Sequence, residues 1–298
     1  MPQISAKELY IWRQQAMAVA IASTVEQTEI DWLIQEIGGK DRLSLSLLSP
    51  QQQKLIDLKQ PLSAIDQLWQ RRIQERLPIQ YLLGYTHWRH FTLKVTPDVL
   101  IPRPETELII DIALQALQQS PNPQLNLGNW VDLGTGSGAI ALGLTDLLTN
   151  ATIYAIDTSK AALAIAQDNA INTGLASKIK FDQGNWWQPI EHLQGKISAM
   201  VSNPPYIPTA TIPTLQKEVA NHEPHLALDG GKDGLEHIRY LIKTAPAYLV
   251  SGGIWLIEMM AGQAETVTKL LQEQGNYQNI QIFSDLAGID RFALAYRC

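Results

Sequence analysis

The chain has 298 residues, 45% of them hydrophobic and 17% charged, a balance that excludes intrinsic disorder and leaves room for two domains. Its longest apolar run, around Ala16–Ala22, is far short of the ~18–20 residues that cross a bilayer and lacks the layout of a secretory signal. The net charge of −6 falls wholly after residue 80, since residues 1–80 carry nine basic and nine acidic side chains, and the one cysteine is Cys298. A broadly basic, phosphate-neutralising surface, an intrachain disulfide and a Cys-rich zinc site are thereby excluded, and a reducing cytoplasm is the expected compartment.

Residues 1–80 read as helical. Leu9, Trp12, Arg13, Ala16, Val19 and Ala20 recur at helical spacing, and Trp32–Ile37 repeats the pattern until Gly38-Gly39 stops it. After Pro50 and Pro61, a further stretch runs from Leu62 to Leu77 through Ile65, Leu68, Trp69, Arg72 and Ile73. Its Trp and Leu stripes are expected to be core. Arg71, Arg72 and Arg76 form the one dense basic cluster, expected as a solvated helix face.

Between residues 81 and 102 the period changes to two, with alternation over His90–Val95, and a strand or hairpin linker is expected. From Pro104 onward, strands and helices alternate. Strands are expected at Trp130–Leu133, Ile153–Ile156, Ile179–Phe181, Ala199–Ser202, Ile254–Glu258, Ile280–Phe283 and Phe292–Tyr296. Helices are expected at Glu105–Gln119, Ala139–Leu148, Lys160–Asn172, Gly234–Leu249 and Gly262–Gln274. This alternation predicts an α/β fold, a mostly parallel seven-stranded sheet covered on both faces.

Two motifs carry chemistry. The strand Trp130–Leu133 runs into Gly134-Thr135-Gly136-Ser137-Gly138 and then a helix, placing backbone N–H groups and a helix N-terminus where a ligand can approach. The spacing is GxGxG, not the dinucleotide GxGxxG, and no Walker lysine follows. Asp157 closes the next strand, where a carboxylate can accept both hydroxyls of a ribose. Together they fit an adenosine-containing cofactor; the alternative is a tight turn with a helix-capping Asp.

The second motif is Asn203-Pro204-Pro205-Tyr206, directly after the strand Ala199–Ser202. Two prolines cannot continue a ladder, so the segment projects from the strand's carboxyl end, where open α/β sheets bind ligands. The Asn203 and Pro204 carbonyls can hold both hydrogens of a planar –NH2 group, Pro205 stiffens the turn, and Tyr206 offers a flat ring. Holding the hydrogens of a conjugated amine localises its lone pair, so positioning rather than a general base carries the chemistry. No convincing His, Cys or Ser constellation suggests otherwise. Asn221–His225 contains two His and a Glu, but Pro224 argues for a polar loop over a metal site, and no metal is expected.

These residues resemble class I S-adenosylmethionine-dependent methyltransferases of Rossmann-like fold, and among them the HemK/PrmC protein-(glutamine-N5) methyltransferases. The resemblance extends to Gln80–Gly84, Leu100–Glu107 with its Arg-Pro-Glu-Thr-Glu, Glu223-Pro224, Ala227–Gly231 and Asp233–Leu235. It implies a helical substrate-recognition domain over 1–80, a linker over 81–102 and a methyltransferase domain over 103–298. It further implies that S-adenosylmethionine lies on Gly134, Thr135, Gly136, Ser137 and Gly138, with Asp157 on its ribose and Trp186 beside its adenine. Asn203, shared with the cofactor side, would hold the substrate glutamine with Pro204, Pro205 and Tyr206, making Asn203, Pro204 and Tyr206 the catalytic group. Asn185 stands where the family commonly has an acid. The implied substrate is the Gly-Gly-Gln glutamine of peptide chain release factors, with S-adenosylhomocysteine as co-product.

A monomer with no nucleic-acid substrate and no membrane contact is expected. The rival readings are an adenine-N6 methyltransferase, which shares Asn-Pro-Pro-Tyr, a ribosomal-protein glutamine methyltransferase, and a nicotinamide-dependent oxidoreductase. The acidic balance of the catalytic part counts against the first, and the GxGxG spacing against the last.

Overall fold

The computed structural model describes all 298 residues, which divide into two compact units, Met1–Leu83 and Gly84–Cys298. The smaller unit is mainly helical. A short antiparallel ribbon pairs β1 (Gln3–Ser5) with β2 (Leu55–Asp57), two strands too short for periodicity to reveal. Around it lie α1 (Ala6–Ala22), α2 (Thr28–Leu33), a π turn ending at Gly38, α3 (Arg42–Ser46), α4 (Leu62–Glu75) and α5 (Ile79–Leu83). Leu9, Ala20, Ile30, Leu33, Leu58, Ile65 and Trp69 form its buried core.

The basic cluster on α4 is not one solvated face. Consecutive helical residues diverge by about 100°, so Arg71 and Arg72 point apart. Arg71 pairs with Glu75 at the surface, whereas Arg72 is buried and donates to both carboxylate oxygens of Glu29, at 2.6 and 2.9 Å. Arg76 donates to the Ser23 carbonyl. Two of the three guanidiniums therefore tie helices together within this unit.

The larger unit opens with a hairpin of β3 (Tyr85–Trp88) and β4 (Phe91–Lys94). Rather than standing apart as a linker, the hairpin contributes Trp88, Phe91 and Leu93 to the core of this unit. Then follow α6 (Leu108–Gln119), β5 (Asn129–Leu133), α7 (Ala139–Leu147), β6 (Thr152–Asp157), α8 (Lys160–Asn172), β7 (Ile179–Gln183) and β8 (Ile197–Ser202). After α9 (Lys217–His222) and α10 (Glu236–Thr244), the chain adds β9 (Leu249–Glu258), α11 (Ala264–Gln274), β10 (Tyr277–Ser284) and β11 (Asp290–Arg297).

Seven of these strands form one sheet in the order β10-β11-β9-β8-β5-β6-β7, with only β11 antiparallel to its neighbours. The expected mostly parallel sheet is thus present. Every residue of β8 is buried, as a strand covered on both faces requires. One face packs Trp130, Ala199, Val201 and Leu256 against α6 and α7; the other packs Val131, Met200, Trp255 and Ile257 against α10 and α11.

The order reverses between β5 and β8, because the chain moves outward through β6 and β7 and then returns to β8 on the other side. At such a switch point the loops leaving two neighbouring strands splay apart and open a crevice at their carboxyl ends. The loops here are Gly134–Gly138 and Asn203–Tyr206. They are tied together at the base, where the Ser202 hydroxyl donates to the Leu133 carbonyl at 2.6 Å.

Two further buried polar groups shape the glycine turn. Asn169 of α8 donates to the carbonyls of Ser137 and Lys94 and accepts from the Lys94 N–H at 2.7 Å, fastening turn, helix and hairpin together. Asp132 accepts through Oδ2 from the Thr135 hydroxyl at 2.6 Å and from the Ala141 N–H at 3.0 Å, while its Oδ1 has no partner.

Burial, opposed by those two hydrogen bonds, pushes Asp132 up to about 7. Between the ordinary carboxylate range near ~4 and that value, the folded chain holds a proton that the unfolded chain has released. Stability attributable to this group therefore falls as pH rises through that window and is flat above it. Asp132→Asn keeps an acceptor for Thr135 and Ala141 but cannot ionise. The expected result is a melting temperature that shifts in favour of the variant between about pH 4 and about pH 7; a pH-independent difference would show that the carboxyl does not titrate there.

Candidate active site

Gly134–Gly138 separates into two kinds of position. Gly134 and Gly136 line the cleft at the switch point, and both have positive φ, 78° and 55°, which glycine adopts without strain. A Cβ on Gly136 would meet nothing within 4 Å, so a side chain there would occupy the cleft itself. Thr135, Ser137 and Gly138 face inward. Thr135 is held by Asp132, the Ser137 carbonyl by Asn169, and a Cβ on Gly138 would lie 3.1 Å from the Ala166 Cβ where α7 meets α8. Of the five, only the first and third turn toward ligand space.

Asp157 ends β6 on the same cleft. Its Oδ2 accepts from the Gly136 N–H at 2.9 Å and its Oδ1 from the Ser159 N–H at 2.8 Å. Burial raises its pKa, and these backbone hydrogen bonds hold the charged form against that rise. Each oxygen retains acceptor capacity, which suits a pair of vicinal hydroxyls.

Trp186 and Asn185 line the same cleft. Trp186 has φ 53°, uncommon for a bulky residue. Its ring lies 5.4 Å from His237 and 6.3 Å from Tyr240. The cleft lining thus combines aromatic rings, a carboxylate and glycine backbone.

Asn203 stands in the wall shared by this cleft and a second cavity, the latter lined also by Tyr206, Arg103, Val219 and Arg291. Pro205 faces the first cleft, and Tyr206 the second. Pro204 is buried and lines neither cavity, and no backbone N–H engages its carbonyl.

The Asn-Pro-Pro-Tyr turn is clamped from behind. Gln263 donates to the Tyr206 carbonyl at 3.1 Å, and Ile207 bridges to Asp229. A Cβ on Gly234 would fall 2.3 Å from the Tyr206 oxygen, and one on Gly230 would lie 2.8 Å from its carbonyl carbon. Gly230 and Gly234 are therefore required by close backbone approach, whereas Gly231 answers to its positive φ of 83°.

Several residues of the site received no individual role from the sequence, although Arg103, Thr106 and Glu223 lie in segments that carry the family resemblance. Thr106 lies between Glu105 and Glu107, acids that draw attention but line neither cavity; it is Thr106, 4% exposed, that reaches Asn203 at 3.3 Å. Glu258, the last residue of β9, is 1% exposed and accepts from Thr106 at 2.6 Å and from the Tyr206 hydroxyl at 3.1 Å. An acid closing an apolar strand is the same signal that marks Asp157, and it was available at Glu258. Arg103 donates to both oxygens of buried Glu223, at 2.8 and 2.7 Å, so Glu223 is a counter-ion rather than part of a metal cluster.

Comparison with known proteins agrees with this architecture. Residues 107–232 match the model of the methyltransferase small domain family. The release factor glutamine methyltransferase of Synechocystis sp. is 50% identical over 98% of this chain and 97% of its own length. That of Thermosynechococcus vestitus is 44% identical over 98% of this chain and 99% of its own. Among solved structures, the catalytic domain of hMettl16 in complex with MAT2A 3'UTR hairpin 6 superposes with a TM-score of 0.55 at 16% identity, covering 70% of this chain and 75% of that one; this likeness concerns the fold alone. With half of its residues shared with a curated relative across almost its full length, the chain belongs to the family of release factor glutamine methyltransferases.

Proposed function

We propose that this chain methylates the side-chain amide nitrogen (N5) of the glutamine in the Gly-Gly-Gln motif of peptide chain release factors, using S-adenosylmethionine and so modulating translation termination. The observation that carries this reading is the position of Asn203 in the wall between two cavities. One is suited to a nucleoside and the other is open to an incoming side chain. The extent of identity to release factor glutamine methyltransferases supports the choice of an amide over a nucleobase.

The residues of the first cleft fit S-adenosylmethionine. Asp157 accepts from the ribose hydroxyls, Gly134 and Gly136 let the ligand rest on backbone, and Trp186 flanks the adenine with Asn185 as a polar neighbour. Thr135, Ser137 and Gly138 act by shaping the turn. When bound, the cofactor supplies a methyl group on a positively charged sulfur, which leaves with the sulfur–carbon electron pair as S-adenosylhomocysteine.

The chain's own task is to prepare the amide. Its nitrogen lone pair is delocalised into the carbonyl, and holding both N–H groups in acceptors of fixed geometry favours the pyramidal form that attacks carbon. The Asn203 side-chain oxygen and the Pro204 carbonyl are those acceptors, Pro205 fixes the turn, and Tyr206 bounds the pocket. A proton leaves nitrogen after the N–CH3 bond forms, when the nitrogen is strongly acidic, so no buried general base is required. The proposed setting is a monomer acting in the cytoplasm, on protein and not on nucleic acid or membrane; no helix is long and apolar enough to cross a membrane.

Labelled S-adenosylmethionine offered with a release factor should label it, and the same factor with the Gly-Gly-Gln glutamine replaced should remain unlabelled. A ribosomal protein or duplex DNA should also remain unlabelled. Label on DNA but not on the release factor would overturn the reading. Asn203→Ala should lower the single-turnover rate at saturating cofactor and substrate by roughly 100-fold or more; an unchanged rate would remove the amide-holding mechanism. Asp157→Ala should weaken S-adenosylmethionine binding by about 10–100-fold in calorimetry, the range for losing hydrogen bonds to a charged group. Equal affinity would exclude Asp157 from the cofactor site.

A further inference from the structure

Asn203 can hold a substrate amide through its oxygen only if its carboxamide is turned the right way. The two orientations have nearly the same shape, and hydrogen-bond partners decide between them. The one side chain that engages this carboxamide is Thr106, whose Oγ1 lies 3.3 Å from Asn203 Nδ2. A threonine hydroxyl has a single proton and could in principle donate to Asn203 or accept from it.

Glu258 resolves the choice. Thr106 Oγ1 lies 2.6 Å from Glu258 Oε2, the length of a charge-assisted O–H···O bond. Its proton is therefore committed to the carboxylate, and only lone pairs face Asn203. Asn203 must then present its N–H, which turns Oδ1 away from Thr106. The other oxygen of the same carboxylate accepts from the Tyr206 hydroxyl at 3.1 Å. One buried group thus addresses two of the four residues of the Asn-Pro-Pro-Tyr turn. The groups facing it are Thr106 from the turn before α6, Tyr206 from the loop after β8, and the charges of Arg291 on β11 and Glu105. Burial, the largest influence, and Glu105 raise its pKa, and the Thr106 and Tyr206 hydroxyls with Arg291 hold the ionised form against that rise.

We propose that Glu258 is a positioning residue which, through the Thr106 hydroxyl, sets the carboxamide of Asn203 with its oxygen toward the substrate amide and at the same time holds Tyr206. The relay runs in one direction, from carboxylate acceptor to hydroxyl to amide donor. Neither Glu258 nor Thr106 touches a reacting atom. Their effect is on the fraction of enzyme in which Asn203 accepts rather than donates, so it falls on the rate with bound substrate more than on substrate or cofactor affinity. The inference rests on the proposed role of Asn203.

The test compares Thr106→Val, Thr106→Ser and Glu258→Gln in full-length protein, with Asn203→Ala as reference. Single-turnover rates, KM for the release factor and S-adenosylmethionine affinity are measured for each. Thr106→Val, similar in shape but without the hydroxyl, should slow methyl transfer by about 10–100-fold and leave both affinities within about threefold. Thr106→Ser should recover most of the rate. Glu258→Gln, whose amide can donate to Thr106 and reverse the relay, should slow transfer as Thr106→Val does. If that variant does not fold, the Thr106 pair decides alone. In an Asn203→Ala background, Thr106→Val should cause no further loss, because residues acting through one group are not additive.

A Thr106→Val rate equal to wild type, a Thr106→Ser variant as slow as the valine, or losses that multiply in the double variant would each overturn the inference. An unimpaired Asn203→Ala enzyme would instead overturn the reading on which it rests.

Discussion

Burial of acidic side chains at the carboxyl edge of the sheet is the constraint around which this site is built. Asp132 near the end of β5, Asp157 at the end of β6 and Glu258 at the end of β9 all lie where strands stop and loops begin, and burial raises the pKa of each. A carboxylate in such a place is tolerable only when donors surround it. The donors here are the backbone and hydroxyls of the functional loops: Thr135 and Ala141, Gly136 and Ser159, Thr106 and Tyr206. Each acid thus converts its own need for partners into a fixed loop conformation.

This arrangement also accounts for where rigidity is concentrated. Ser202 joins the two strand ends at the switch point, Asn169 joins the glycine turn to the hairpin, and Gln263 holds the tyrosine carbonyl. None of the three needs to contact a ligand for the site to depend on it. A constellation intended to aim one lone pair must be held to within a fraction of an ångström, and buried polar side chains with several partners provide that more sharply than apolar packing does.

The sheet was legible in the sequence because each central strand is a short apolar run and each crossover helix is periodic, so Lys160–Asn172 and Ala139–Leu147 fall close to where the pattern puts them. The ribbon of Gln3–Ser5 with Leu55–Asp57 was not, since three-residue strands far apart in the chain carry no period. The hairpin strands were visible, but not their burial, which depends on Trp88 and Leu93 meeting the helices of a later segment. At the site, Gly134, Gly136, Asp157, Asn203 and Pro205 could be named from motifs and Trp186 from the family resemblance, and all of them line one cleft. Thr106 and Glu258, 152 residues apart, meet only through the fold, and no local pattern expresses that meeting.

The wall that Asn203 shares between the two cavities has a thermodynamic corollary. On the proposed reading, cofactor and substrate meet the same side chain, and their binding is coupled through it. Whatever tightening an occupant of the glycine cleft confers on its neighbour must be returned to it in equal measure, because coupling free energy is reciprocal. The order in which the two arrive then matters to traffic through the enzyme but not to the stability of the ternary state. A ligand that has lost the group lying between them would be released with its share of that coupling gone.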